Sequence, residues 1–105
     1  MADNLDVNPR EVESRDLPTV ARSYVQVFAQ NNLEKTDPHV EFNTYVVWFA
    51  FVLGGWKALV STTLPDGRYY EVTYDKHKNA VYIDTYVKIN NIEINTDGTS
   101  VTTDA

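Results

Sequence analysis

The chain has 105 residues, which is enough for one small hydrophobic core, and it contains no cysteine. Disulfide frameworks, thiolate zinc sites and cysteine nucleophiles are therefore excluded. Fifteen acidic residues against nine basic ones give a net charge of −6, which opposes sequence-independent binding to nucleic acid because such binding needs clustered Lys and Arg.

The N-terminal residues are acidic and polar, whereas a secretory signal needs a basic start followed by an apolar run. Residues 1–13 show no apolar periodicity and are predicted to be a mobile leader. No apolar stretch has the length needed to cross a bilayer. We therefore expect a cytoplasmic protein that binds neither membranes nor nucleic acid directly.

One amphipathic helix is predicted between Asp16 and Gln30, because apolar residues recur there at a spacing of three and four. These residues are Leu17, Val20, Ala21, Tyr24 and Phe28. Pro18 suits the first turn, and Asn31-Asn32 can end the helix. Asp37-Pro38 then predicts an extended connection, since a residue before proline avoids the α region.

Residues 44–87 contain four short runs rich in Val, Thr and aromatic residues, which predict consecutive β-hairpins. Turns are predicted at Gly54-Gly55, within residues 64–68 and at residues 76–79. These turns give the cross-strand pairs Phe51–Ala58, Val60–Val72, Lys57–Asp75, Val72–Ile83 and Glu71–Asp84. All three hairpins place their apolar residues on the same face.

That apolar face is expected to pack against the helix. Its predicted members are Val47, Phe49, Phe51, Leu53, Val60, Val72, Val81 and Ile83. The sequence thus predicts an α+β fold, with one N-terminal helix packed on a four-stranded antiparallel meander in a single domain spanning residues 14–95. Ile89, Ile92 and Ile94 leave open whether a fifth strand follows or the fourth is longer. Residues 96–105 are polar and predict a mobile C-terminal tail.

The opposite face of the sheet is the candidate functional surface. The first strand is apolar on both sides, so its outer side also needs a cover. The candidate interface or ligand residues are Val46, Trp48, Val52, Leu59, Tyr69, Glu71, Tyr82, Asp84 and Tyr86. One interpretation is that Leu5, Val7 and Val12, or the C-terminal isoleucines, fold over Trp48. The other, which we prefer, is a homodimer that pairs Trp48 faces or first-strand edges.

Glu71 and Asp84 face each other in the predicted ladder, and like charges at that spacing destabilise a sheet. The pair could share a proton, bind a hard cation or accept a partner's Arg or Lys. Alternatively, Lys57 or Lys88 neutralises it. Two carboxylates without a third ligand are a weak metal signal, so no metal or cofactor is expected. His39 and His77 are predicted to be surface residues, and no catalytic residue is identified.

Four separated segments carry a family resemblance. They are Tyr45-Val46-Val47-Trp48, Lys57-Ala58-Leu59, Asp66-Gly67-Arg68-Tyr69-Tyr70-Glu71-Val72-Thr73-Tyr74 and Tyr82-Ile83-Asp84-Thr85-Tyr86. In this order they resemble a family of short uncharacterised phage and prophage proteins. The resemblance implies a phage-encoded protein but carries over no catalytic residues, because the family has no established activity.

Together these patterns predict a small non-enzymatic protein-interaction module. It would act on a host or phage protein, in an accessory or counter-defence role. The alternative is a small-ligand protein that binds a nucleotide-like molecule on the aromatic and carboxylate face. A hydrolase using Glu71 and Asp84, and a minor virion component, are further possibilities.

Overall fold

The computed structural model describes residues 8–33, 40–98 and 100–103, and they form the predicted α+β fold. Short 3-10 helices at Pro9–Glu11 and Ser14–Asp16 precede helix α1, Leu17–Leu33. Strands β1 (Thr44–Val52), β2 (Gly55–Thr62), β3 (Arg68–Asp75) and β4 (Ala80–Val87) form one antiparallel sheet in chain order. Strands β5 (Asn91–Ile94) and β6 (Ser100–Thr103) form a second sheet. The predictions for Leu5, Val7, Asp37-Pro38 and His39 lie outside the described residues.

The core lies between α1 and one face of the four-stranded sheet. Its buried members are Leu17, Ala21, Val25, Trp56, Ala58, Val60, Tyr70, Val72 and Tyr74. Ring contacts fix the packing: Trp56 stacks on Tyr74 with centroids 5.7 Å apart, and Phe28 meets Tyr70 edge-on at 6.1 Å. The three-and-four spacing of the helix thus identified Leu17, Ala21 and Phe28 correctly, but it missed Val25.

Of the three predicted hairpins, the one between β3 and β4 is confirmed in full. Glu71 lies opposite Asp84, Val72 opposite Ile83, and residues 76–79 form the turn. The predicted pairing between β2 and β3 is wrong by two residues, and that between β1 and β2 is wrong by two residues from Trp48 to Val52 and by three before the bulge. Because side chains alternate with a period of two, an error of two changes the partners but keeps most residues on their predicted faces.

The error in the first hairpin comes from the role of Gly55. The turn is made by Leu53 and Gly54, whose φ is +88°, while Gly55 is the first residue of β2 and pairs with Val52. A Cβ on Gly55 would lie only 1.8 Å from the carbonyl oxygen of Tyr74. This glycine is therefore required by close backbone approach and not by turn conformation.

The error in the second hairpin comes from side chains that bond to the loop backbone. Thr62 Oγ1 accepts from Leu64 N at 3.1 Å, and Asp66 Oδ1 accepts from Arg68 N at 3.2 Å. These bonds hold a five-residue loop, in which Gly67 has a positive φ of +66°. The predicted pair of Lys57 with Asp75 is accordingly wrong, and Lys57 lies opposite Thr73.

A β-bulge in β1 corrects the prediction for Val46. Val46 pairs with Val60 and Trp48 with Leu59, so Val47 is an extra residue between them. The extra residue turns Val46 to the helix side, where it packs against the core, although it was predicted on the outer face.

Three predicted core residues are exposed instead. Val47 is 46%, Phe51 63% and Leu53 106% exposed. Val47 is the bulged residue and Leu53 is at the tip of a turn, while Phe51 packs edge-on against Phe49 near the turn end of β1. Phe49, Val81 and Ile83 are partly buried and pack against the core, as predicted.

The described parts of the terminal segments do not cover the outer face, and the part of this interpretation that concerns Leu5 and Val7 lies outside the described residues. Val12 packs against the helix-side core. Ile89, Ile92 and Ile94 are themselves exposed. The open question about the fourth strand is answered by β5, which pairs with β6 in a separate hairpin. None of the helices in the described part of the chain has the length and apolar character to cross a membrane.

Candidate interaction surface

The side of the sheet opposite α1 is called the outer face, and cross-strand pairing arranges it in rows. The first row is Tyr45, Ser61, Tyr69 and Tyr86; the second is Trp48, Leu59, Glu71 and Asp84; the third is Ala50, Lys57, Thr73 and Tyr82. Val52 extends the face towards the first turn. Eight of the nine sequence-predicted site residues therefore share this surface, and Val46 does not.

The first row is dominated by tyrosines. Tyr45, Tyr69 and Tyr86 are all exposed, with buried Ser61 between Tyr45 and Tyr69. Tyr45 is absent from the predicted site residues, because strict alternation along β1 assigns it to the same side as Val47 and Phe49. Only the bulge at Val47 brings Tyr45 onto the outer face, and alternation carries no signal for it.

Glu71 and Asp84 lie directly opposite each other, yet their environments differ. Lys57 Nζ lies 3.6 Å from Glu71 Oε2, and the Tyr86 hydroxyl donates to Glu71 Oε1 at 3.1 Å. The alternative that Lys57 or Lys88 neutralises the pair is therefore met in part, by Lys57 at Glu71 and not at Asp84. Glu71 is therefore held in place from two sides, which lowers the cost of its position beside a like charge.

The hydrogen bond to Glu71 raises the pKa of the Tyr86 hydroxyl above its ordinary value, and the nearby negative charge adds to the effect. The neutral phenol can donate to the carboxylate, whereas a phenolate would repel it. Tyr86 is thus kept as a neutral donor on Glu71.

Asp84 is the unneutralised carboxylate of the outer face. It is exposed and forms neither an ion pair nor a hydrogen bond within the part of the chain that the structure describes. Exposed aromatic rings lie next to it along β4, at Tyr82 and Tyr86. No group of three His, Asp or Glu side chains positioned to hold a metal occurs in residues 8–33, 40–98 and 100–103.

Two shallow clefts flank the sheet. One, of about 350 Å³, lies at the loop between β2 and β3 and is lined by Tyr45, Ser61, Thr62, Leu64, Pro65, Gly67, Arg68, Tyr69 and Lys88. The other, of about 340 Å³, lies at the opposite end and includes Phe51, Trp56 and Tyr74. The indole N–H of Trp56 is buried and bonds to no acceptor in the described residues.

Trp48 itself is 41% exposed and Val52 40%. The outer face therefore presents a band of apolar and aromatic side chains running from β1 to β4, interrupted by Lys57, Glu71 and Asp84. Exposed aromatic side chains mixed with a few charged ones are typical of a surface that binds another molecule.

Comparison with known proteins identifies a family. The model for "Family of unknown function (DUF6275)" matches residues 18–96, which include α1 from its second residue onward and the whole four-stranded sheet. The chain belongs to this family. No curated protein and no solved structure matches it. The expectation of an uncharacterised family is confirmed, while its phage origin stays a prediction.

Proposed function

We propose that this family member is a non-enzymatic interaction module whose outer face docks a second protein. One observation carries the proposal: five aromatic side chains, those of Tyr45, Trp48, Tyr69, Tyr82 and Tyr86, are exposed on a single sheet face. Trp and Tyr are enriched at the centres of protein interfaces, because they bury a large area at a small cost in conformational entropy.

The chemistry of the face also suggests what the partner presents. Asp84 is a carboxylate without an ion pair among the described side chains and lies between two exposed tyrosines. Glu71 already forms an ion pair with Lys57 and accepts a hydrogen bond from Tyr86. An arginine of the partner could pair with Asp84 while its guanidinium packs against a tyrosine ring. We therefore propose a partner surface with an arginine at its centre and apolar residues around it.

The resemblance noted in the sequence supports a proposal about context. The segments that carry it include Trp48, Glu71, Asp84 and Tyr86, all on the outer face. We propose that the protein is phage-encoded, acts in the host cytoplasm and binds a host or phage protein through these residues. An accessory or counter-defence role is consistent with a small acidic module of this kind.

Affinity capture with matched variants tests the docking proposal. Wild type, Trp48→Asp and Leu53→Asp are immobilised and exposed to host lysate; Leu53 is fully exposed at the turn tip and off the outer face. A genuine partner is retained by wild type and Leu53→Asp and lost with Trp48→Asp. A set of captured proteins that is identical for all three folded variants would contradict the proposal.

The purified partner then tests the role of Asp84. Asp84→Asn removes the charge and preserves the shape, so we expect the binding free energy to weaken by about 2 kcal/mol. The affinity of the wild type should also fall as salt is added, whereas that of Asp84→Asn should depend less on salt. Equal affinities for the two proteins would exclude the arginine at the contact centre.

A nucleotide-like ligand is the second candidate, and one observation favours it. The 350 Å³ cleft has Tyr45 and Tyr69 in its lining together with the cation Lys88. Aromatic rings could stack on a base while the ammonium attracts phosphate. Titration with ATP and GTP, followed by intrinsic fluorescence, tests this candidate against Lys88→Gln. An unchanged signal at millimolar nucleotide would remove it.

A further inference from the structure

Strand β1 is an edge strand without the features that normally protect such an edge. Among the described residues it pairs only with β2, and its nine residues, Thr44–Val52, include no charge and no proline. Edge strands of soluble proteins are usually short, charged or interrupted by proline, since their free backbone groups can pair with another chain. β1 has a bulge at Val47, but the five residues from Trp48 to Val52 pair regularly.

The opposite edge of the sheet differs in charge. β4 carries Asp84 near its centre, exposed and without an ion pair in the described residues. Antiparallel pairing of two β4 strands about their centres would bring two carboxylates together, which is unfavourable. Two β1 strands carry no charged side chain, so their pairing brings no like charges together, although the whole chain has a net charge of −6. Electrostatics therefore favours β1 as the self-associating edge.

We propose that two copies of the chain pair through β1 as an antiparallel dimer related by a two-fold axis. The regular run from Trp48 to Val52 is centred on Ala50, so Ala50 of one copy lies opposite Ala50 of the other. This register pairs Phe49 with Phe51 of the second copy, and Trp48 with its Val52. Every pair is apolar, and Phe51, which is 63% exposed in the single chain, gains an aromatic neighbour.

The same register explains two apolar residues that fit poorly in the single chain. Leu53, at the turn tip, falls beside Val47 of the second copy, which is the bulged residue. Both side chains are exposed in the single chain. The dimer would thus give four of the exposed β1 side chains a neighbour in the second copy: Val47, Trp48, Phe51 and Val52.

The pairing has a consequence for the outer face. A two-fold axis perpendicular to the sheet joins the two sheets into one of eight strands and keeps both helices on the same side. The two outer faces then form one continuous surface with two copies of Asp84. This inference does not depend on the proposed function, because the dimer can form whether or not the outer face docks a protein.

Cysteine cross-linking tests the register, because the chain has no cysteine of its own. Ala50→Cys should form a covalent dimer under mild oxidation, since directly opposed residues of an antiparallel pair have Cα atoms about 5 Å apart, within the range of a disulfide. Thr85→Cys, exposed on β4, is the matched control and should remain monomeric. Equal cross-linking of the two variants, or none with Ala50→Cys, would overturn the proposal.

Light scattering after gel filtration tests the interface without a cross-link. At about 100 μM, a dimer with a micromolar Kd should be almost fully formed in the wild type. Phe51→Lys should raise the dimer Kd at least about tenfold, because it places a charge at the centre of an apolar edge. Val87→Lys, at the end of β4, should leave the dimer intact. A monomeric wild type at this concentration, or a Phe51→Lys dimer whose Kd, measured by dilution, equals that of the wild type, would contradict the proposal.

One further variant separates edge pairing from pairing of the outer faces. Tyr69 lies on β3, away from the β1 edge, and its side chain is on the outer face. Tyr69→Lys should leave an edge-paired dimer intact, whereas a dimer formed by opposed outer faces should dissociate. Loss of the dimer in Tyr69→Lys, with the fold retained by circular dichroism, would therefore reject the β1 edge.

Discussion

Gly54 and Gly55 are neighbours in the chain with different structural roles. Gly54 has a φ of +88°, which other residues adopt only at a cost, but the space beside it is ordinary. Gly55 has no such φ, and instead the backbone of Tyr74 occupies the position where a Cβ would be. Gly54 is therefore needed for its backbone conformation, whereas Gly55 is needed because β2 approaches β3 too closely there to leave room for a Cβ.

Alanine substitutions should separate these two roles. We expect Gly55→Ala to lower the free energy of unfolding by about 3 kcal/mol, because the overlap is with backbone that has to move. Gly54→Ala should cost only about 1 to 2 kcal/mol. Gly98→Ala is a control for positive φ alone, since Gly98 has open space around it. Urea unfolding measures all three, and the explanation fails if Gly55→Ala costs no more than Gly54→Ala.

The buried side chain of Tyr70 makes the free energy of unfolding depend on pH. Burial raises the pKa of its hydroxyl, and the negative charge of Asp66 adds to this, while Arg68 opposes it. An unfolded tyrosine titrates near pH 10, so its proton is lost earlier in the unfolded state than in the folded state. The stabilisation is therefore complete below about pH 10 and is lost as the pH rises through the folded pKa.

Tyr70→Phe tests this link, because phenylalanine has no proton to lose. The difference in unfolding free energy between wild type and Tyr70→Phe should be constant up to about pH 9 and shrink above about pH 10. Chemical denaturation at a series of pH values measures it. A difference that stays constant at alkaline pH would show that Tyr70 does not carry the effect.

At the scale of elements, the bulge in β1 decides which side chains form the outer face. Val46 and Trp48 pair with adjacent residues of β2, and Val47 lies between them without a partner. The bulge sends Val46 to the core and Tyr45 to the outer face. Val47 itself is exposed and contributes little burial to the fold.

Deleting single residues tests the role of the bulge. Deletion of Val47 should leave a regular ladder with every other residue on its present face, and cost less than about 1 kcal/mol in unfolding free energy. Deletion of Ala50, in the regular part of β1, should reverse the faces of the preceding residues and abolish cooperative unfolding. Similar stabilities for both deletions would show that the bulge does not determine the faces.

At the scale of the whole molecule, one helix covers only one face of a four-stranded sheet. The core lies on the helix side, between α1 and residues of β2 and β3. The outer face keeps exposed aromatic residues beside a compensated carboxylate, Glu71, and a free one, Asp84. An open edge at β1 adjoins this face. Docking of a partner and pairing of two copies are therefore separate proposals about adjacent parts of one surface.

The sequence by itself determined the α+β class, the helix stripe and the β3–β4 hairpin, because these follow from local periodicity and turn chemistry. It also placed Glu71 opposite Asp84 and named Lys57 as one of two lysines that could neutralise the pair, of which the structure brings Lys57 to Glu71 alone. Only the tertiary structure decided the other two registers, since they depend on the contact between Gly55 and Tyr74 and on side-chain bonds to the 63–67 loop.

The exchange of Val46 for Tyr45 on the outer face was likewise decided by tertiary structure. It depends on a bulge that no periodic pattern reveals, because an inserted residue shifts alternation without changing composition. Local chemistry thus fixed which segments form strands. Contacts between strands fixed which of their side chains face outward.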